Sequence, residues 1–207
     1  MQNQNMKVDM GFVNEKFPVA THMCLIYNSE EERKNVITKY IQSGIINKEK
    51  VMYLADNATK SDIASWLMET GIDVQSEDTE KFIDIVDAEE AYCSGGYFSP
   101  DKMLEGLKKT QEEILGENYC CLRASGEMTW ALKGIPGSEK LIEYESRLNN
   151  LVKSHPFLAL CQYDATRFDG KTIFNVLKVH PYMIVKGQIL KNPYYITPEE
   201  FLETCVQ

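Results

Sequence analysis

Five short apolar runs alternate with amphipathic segments along most of this chain, and that alternation constrains the fold more than any single motif. The runs are His22–Tyr27, Val51–Ala55, Phe82–Val86, Tyr119–Arg123 and Phe157–Tyr163. Each is apolar on both faces, which suits strands of a parallel sheet covered on both sides rather than a half-exposed antiparallel one. Between them lie helical patterns. Val36, Ile37, Tyr40 and Ile41 form one stripe, Met103, Leu104, Leu107 and Ile114 another, and Leu141, Tyr144, Glu145, Leu148 and Val152 a third. Start signals precede them: a capping box at Ser29 and Glu32, a helix start near Thr59, Ser99–Pro100, and Ser138. Gly44, Gly71 and Gly116 read as stops.

The expected class is α/β: a three-layer architecture with a mostly parallel central sheet and helices on both faces. Met183–Leu190 adds an antiparallel hairpin at the C-terminal edge, turning at Lys186–Gly187, and Thr197 to Glu200 open a last short helix. Between Asp87 and Ser99 the pattern predicts a polar and aromatic loop with Tyr92, Gly95, Gly96, Tyr97 and Phe98.

The junction between the first strand and the first helix limits the chemistry. A nucleotide-hydrolysing domain carries there a glycine-rich loop ending in Gly-Lys-Ser/Thr. This chain instead has Asn28-Ser29 followed by Glu30, Glu31 and Glu32. Carboxylates suit a helix N-terminus but repel a polyphosphate. Thr59-Lys60-Ser61 lacks the preceding glycines and follows the second strand, so it is no substitute. The architecture is that of an ATPase, the chemistry is not, and a binding domain is the expected outcome.

Composition narrows the partners. Of 207 residues, 31 are acidic and 22 basic, a net charge of −9, which disfavours a basic nucleic-acid face. No apolar run approaches a membrane span, and the polar first residues lack a signal-peptide core, so a cytoplasmic protein is expected. None of the six cysteines forms a C-x-x-C pair. Cys24, Cys120, Cys121 and Cys161 read as buried thiols in strands, with a redox or metal role for the vicinal Cys120–Cys121 as the alternative. His22, His155 and His180 show no metal-ligand spacing on one helix, and no nucleophile elbow is present. Asp56, Asp87 and Asp164 end strands and read as turn formers rather than magnesium ligands. No catalytic residue, metal or cofactor is assigned.

Ligands of open α/β sheets sit beyond the carboxyl ends of the strands. Those ends supply Tyr27, Asn28, Tyr163, Asp164 and the segment Arg123-Ala-Ser-Gly-Glu-Met-Thr-Trp130. Arg123 is suited to hold an anionic group, or to pair with Glu127 or Glu145. Trp130 is suited to wall an apolar pocket, and Gly126 permits unusual backbone angles. The competing reading is a structural Arg–Glu bridge beside a core tryptophan.

Several of these segments, taken in order, resemble one family. His22-Met-Cys-Leu-Ile-Tyr27, the Tyr92–Pro100 loop, Arg123–Trp130, Tyr144-Glu145, Cys161-Gln-Tyr-Asp164, His180-Pro181 and Asn192-Pro-Tyr-Tyr195 look like the MEDS domain. This is the methanogen/methylotroph sensory domain of the dichloromethane-responsive repressor type. The resemblance implies a RecA/KaiC-like fold whose phosphate loop has degenerated. It further implies sensing of a hydrocarbon derivative or similar small organic ligand, in proteins associated with histidine kinases and transcription regulators.

With strand ends and family-like motifs combined, the candidate ligand-binding residues are His22, Tyr27, Asn28, Tyr92, Arg123, Glu127, Trp130, Glu145, Tyr163, Asp164 and His180. The expected division is a flexible segment, residues 1–19, and a single sensory domain, residues 20–207. The repressor carries a helix-turn-helix ahead of its sensory domain. Only about 20 residues precede the first strand here, so the signal is expected to pass to a separate histidine kinase or transcription regulator, without direct nucleic-acid or membrane contact. The alternatives are a KaiC-like ATPase with a non-standard phosphate site, using Glu127 as base and Asp164 as metal ligand, and a ligand-free scaffold; homo-oligomerisation is open.

Overall fold

A computed structural model describes residues 6–205 of the chain. Its centre is a seven-stranded sheet ordered β5-β4-β6-β7-β3-β8-β9. These strands are β3 (Thr21–Tyr27), β4 (Lys50–Ala55), β5 (Ile83–Asp87), β6 (Leu122–Glu127), β7 (Phe157–Asp164), β8 (Tyr182–Val185) and β9 (Gln188–Lys191). All neighbours run parallel except β8 and β9. That last pair is the expected edge hairpin, with Lys186 and Gly187 at φ +48° and +70° in its turn. In the central strands, seven of eight β7 residues and all six of β6 are buried, which is why both faces read as apolar.

Helices cover both faces. On one side lie α1 (Glu30–Ile46) and α2 (Lys60–Met68), whose Val36, Ile37, Tyr40, Ile63 and Leu67 pack on Met23, Leu25, Tyr53 and Leu160. On the other lie α3 (Ala88–Tyr92), α4 (Pro100–Gly116), α5 (Leu141–Ser154) and α6 (Gly170–Val179), packed on Cys24, Ala124, Ala159 and Cys161. A last helix, α7 (Pro198–Cys205), lies against α5 and α6. Ser29, Thr59, Ser99 and Asp169 cap α1, α2, α4 and α6 through their side chains.

The structure corrects several expectations. The N-terminal segment is not loose over residues 6–19: β1 (Lys7–Asp9) and β2 (Lys16–Pro18) pair antiparallel, and Val8, Met10, Phe17 and Val19 are buried against the α1 side. Residues 1–5 and the Cys205 side chain lie outside the described residues. Helix α1 runs through Gly44, and Ser29 caps Glu32 without the reciprocal half of the box, because Glu32 Oε1 accepts from the Lys186 amide instead. Ser138 opens a 3-10 turn, and no side chain caps α5. The Asp87–Ser99 segment contains the five-residue α3. Strand β6 starts at Leu122, so Cys120 and Cys121 precede it and Glu127 falls within it.

Candidate functional site

Side chains alternate between faces along a strand. That rule divides the candidate residues into two sets on opposite sides of the sheet. Arg123, Ser125 and Glu127 of β6 point toward α1, as do Gln162 of the adjacent β7 and Tyr27 of β3. His22, Cys161 and Tyr163 point toward α5.

On the α1 side, Glu127 is buried beneath the start of α1. It pairs with Arg33 Nη1 at 2.9 Å and accepts from Tyr53 Oη at 2.6 Å and the amides of Asn57 and Ala58 at 2.5 and 3.2 Å. The Arg33 guanidinium also binds exposed Glu30 and lies over the rings of Tyr27 and Trp66, 5.5 and 5.3 Å from their centroids. Three hydrogen-bond donors and the Arg33 charge therefore engage Glu127.

Arg123 stands elsewhere. It is second in its strand, so its side chain reaches the opposite end of the sheet, pairs with Glu49, and donates to the carbonyls of Tyr40 and Asp9. It is fully buried and contacts neither Glu127 nor Glu145, so it is no ligand anchor at the strand ends. Asn28 is exposed in the β3–α1 turn. Asp164 closes a turn by accepting from the Thr166 amide and hydroxyl. Asp87 caps α3, and Asp56 pairs with Lys133 and Thr129. The turn reading therefore holds for Asp87 and Asp164, while Asp56 is an ion-pair partner.

On the α5 side, three expected residues meet around Glu145, which is fully buried on the apolar stripe of α5. Tyr163 Oη donates to its Oε1 at 2.5 Å. Its Oε2 lies 3.2 Å from His22 Nε2, 3.5 Å from His180 Nε2 and 3.3 Å from Cys161 Sγ. Burial works against the Glu145 carboxylate, yet its closeness to the His180 and then the His22 imidazole outweighs it and holds the group well below the usual carboxylate range. Burial, followed by Glu145, pushes the Cys161 thiol well up. Burial, followed by the neighbouring His180, lowers His22.

Next to this cluster is an aromatic block. Tyr92 stacks on Trp130 with centroids 4.8 Å apart, and Phe98 and Tyr144 meet both or one of them edge-on or tilted. Trp130 is wholly buried and walls no opening itself. Tyr92 does. It forms part of a cleft of about 370 Å³ between β4, α3 and α4, with Met52, Leu54, Met103 and Leu107 as apolar lining and Ser94, Tyr97, Ser99, Lys102 and Thr110 around the mouth. A void of about 20 Å³ shares Met52, Leu54, Tyr92, Met103 and Leu107 with the cleft and reaches inward to Tyr144 and Cys161. Gly126 belongs here for want of space: a side chain on it would strike the Tyr92 hydroxyl.

Arg33, Glu49, Asn149 and Cys161 were not singled out as site residues. A signal for one of them existed. Arg33 shares a stripe with Val36, Ile37 and Tyr40, as Glu145 does with Leu141, Tyr144 and Leu148, and a charge on a buried stripe needs a buried partner.

A seven-stranded, mostly parallel sheet with helices on both faces, and a buried carboxylate–arginine pair at its strand ends, defines a RecA/KaiC-like fold. Residues 21–181 match the MEDS family (MEthanogen/methylotroph, DcmR Sensory domain), and the chain belongs to that family. Over 80 residues it is 38% identical to the transcriptional repressor DcmR of Methylorubrum extorquens; the match spans 37% of this chain and 30% of the repressor. The crystal structure of a KaiC-like protein from the archaeon Pyrococcus horikoshii OT3 is similar in fold, with a TM-score of 0.63 and 17% identity over 87% of this chain and 80% of that one. Among the described residues no helix is long and apolar enough to cross a membrane.

Proposed function

We propose that this chain is a non-catalytic, cytoplasmic sensory domain, residues 20–207 with the N-terminal hairpin packed on it. It binds a small, partly apolar organic molecule and passes the signal to a separate transcription regulator or histidine kinase. The cleft beside Tyr92 is the observation that carries this reading: an apolar floor with a few polar groups at the mouth is the usual make-up of a small-molecule site. It replaces the pocket expected at Tyr27, Arg123, Glu127, Trp130 and Tyr163, because those residues lie on two faces of the sheet. The connection from α3 to α4, with Gly95 and Gly96 at positive φ and Tyr97 on the surface, is the element whose movement would report occupancy. Family membership and the likeness to DcmR support a signalling role.

The ATPase alternative finds little support. Glu127 is held by three hydrogen-bond donors and the Arg33 charge and is not free to act as a base, and three glutamates stand where phosphates would lie.

The test is thermal unfolding across a panel of small hydrocarbon derivatives. A ligand of the native state at 100 times its Kd adds about 2.7 kcal/mol, a rise of roughly 5–10 °C for a chain of this size. Gly106 lines the cleft on α4 with open space beyond it, so Gly106→Leu fills the cleft in a folded protein. The response should vanish in that variant. No response to any compound, or one undiminished by Gly106→Leu, would refute the cleft as the site.

A further inference from the structure

Four potential metal ligands converge in the interior without any short-range motif to announce them. His22 lies on β3, Glu145 on α5, Cys161 on β7 and His180 just after α6, and all four are buried. One ligand atom from each falls within a single sphere, every pair within 4.8 Å.

The hydrogen bonds behind the two imidazoles decide where their lone pairs point. Asn149 Nδ2 donates to the carbonyls of Glu145, Ser146 and Val179 at 3.2, 3.1 and 2.8 Å, which fixes the amide and leaves Oδ1 as the acceptor facing His22 Nδ1 at 3.2 Å. His180 Nδ1 lies 2.8 Å from the Val176 carbonyl, which can only accept. Both rings therefore carry hydrogen on Nδ1, and each neutral ring turns an Nε2 lone pair toward Glu145. His180 Nε2 is buried without a hydrogen-bond partner. A backbone carbonyl or an amide oxygen behind Nδ1 is the arrangement that orients a metal-binding histidine. One imidazolium and the Cys161 thiol can both donate to Glu145, but the second imidazole lone pair would stay facing it unpartnered.

The distances agree with one central ion. Bonds of about 2.0–2.1 Å to nitrogen and oxygen and about 2.3 Å to sulfur place tetrahedral ligand pairs about 3.3–3.6 Å apart. Four of the six pairs are 3.2 Å (His22–Glu145), 3.5 Å (His180–Glu145), 3.5 Å (His22–Cys161) and 3.3 Å (Cys161–Glu145), and the other two, His180 with His22 and with Cys161, lie within 4.8 Å. Tyr163 Oη holds the other carboxylate oxygen and so turns Oε2 inward.

We propose that His22 Nε2, His180 Nε2, Cys161 Sγ and Glu145 Oε2 bind one buried divalent transition-metal ion in tetrahedral geometry, zinc being the metal that this mixed nitrogen, sulfur and oxygen set suits best. On binding, the Cys161 thiol releases its proton to solvent and a metal–sulfur bond forms. The dication then balances one thiolate and one carboxylate, so the interior holds no net charge. Four protein ligands leave no open position, which marks a structural or signal-transmitting centre rather than a hydrolytic one. Cys161 also ends the void that leads in from the cleft, so this centre lies at the inner limit of the space a ligand would enter. The absence of a metal expected from sequence spacing is thereby revised; the inference does not rest on the cleft binding any ligand.

The probe is Co²⁺ added to full-length protein refolded in chelator, alongside elemental analysis of protein purified without added metal. The expected results are about one metal ion per chain, a thiolate-to-cobalt charge-transfer band and an intense tetrahedral d–d envelope. Cys161→Ser removes the charge-transfer band, and His180→Gln weakens binding at least about tenfold, both with native far-UV circular dichroism. A second thiol pair, Cys120–Cys121 beside Glu49, provides the control: Cys120→Ser leaves the spectrum unchanged. Natively folded wild-type protein that binds no cobalt would overturn the proposal. So would a cobalt spectrum indifferent to Cys161→Ser and His180→Gln but abolished by Cys120→Ser.

Discussion

Arg33 Nη1 lies 2.9 Å from Glu127 Oε1, with both side chains buried where the start of α1 meets the carboxyl ends of β4 and β6. In related architectures this crevice receives the ligand. Here the protein's own charges fill it, and the cleft beside Tyr92 lies on the other face of the sheet. The glycine-free junction after β3 thus has a structural counterpart two strands away, in Glu127 of β6.

The pair is asymmetric, and its mutants should be too. Glu127→Leu leaves Arg33 with the exposed Glu30 as its remaining carboxylate partner and should cost about 3–5 kcal/mol. Arg33→Met leaves Glu127 with Tyr53 and two backbone amides and should cost about 1–3 kcal/mol. Urea unfolding measures both, and equal losses would contradict this assignment of partners.

Two helix glycines should respond in opposite directions to alanine. A Cβ on Gly44 would come within 2.7 Å of Arg123 Cδ and of Val51 Cγ2, so Gly44→Ala should destabilise by about 1–3 kcal/mol despite alanine's helix propensity. Gly106 in α4 faces open space, and Gly106→Ala should stabilise by about 0.5–1 kcal/mol. Denaturant midpoints of the two variants, read against wild type, check both signs.

Among the described cysteines, Cys120 should be the reactive one. Its half-buried thiol is pulled down to about 7, chiefly by its contact with Cys121. Burial pushes up Cys24, Cys93 and Cys161, and the same contact pushes up Cys121. Alkylation followed by peptide mass spectrometry should modify Cys120 first, with a rate that reaches half its plateau near pH 7. Equal labelling of Cys120 and Cys121 would contradict the assignment.

The fold was largely legible because the signals that specify it are local. Double-sided apolar runs marked the parallel strands, and Ser29, Thr59, Ser99 and Thr197 marked helix starts. Lys186–Gly187 marked the hairpin. Strand β6 was placed too early because Tyr119-Cys-Cys is more apolar than Ala124-Ser-Gly, whereas burial in the sheet centre overrides β propensity there. That shift drew Arg123 toward the strand end and into a pocket it does not share. The Glu145 cluster was named only in parts. His22 and His180 are far apart in the sequence and meet only because β3 pairs with both β7 and β8. No spacing rule records such a meeting; strand parity, which puts His22, Cys161 and Tyr163 on one face, was the available clue.

The central claim is that this scaffold recognises a small molecule beside Tyr92 and no longer holds a nucleotide at the strand–helix junction. Methyl and amide NMR of the folded protein tests it most directly. An active compound from the thermal panel should shift the Met52, Met103 and Leu107 methyls, and ATP with magnesium should leave Asn28, Ser29 and Arg33 unmoved. Shifts centred on Asn28, Ser29 and Arg33 with ATP, and none in the cleft with any compound, would contradict it.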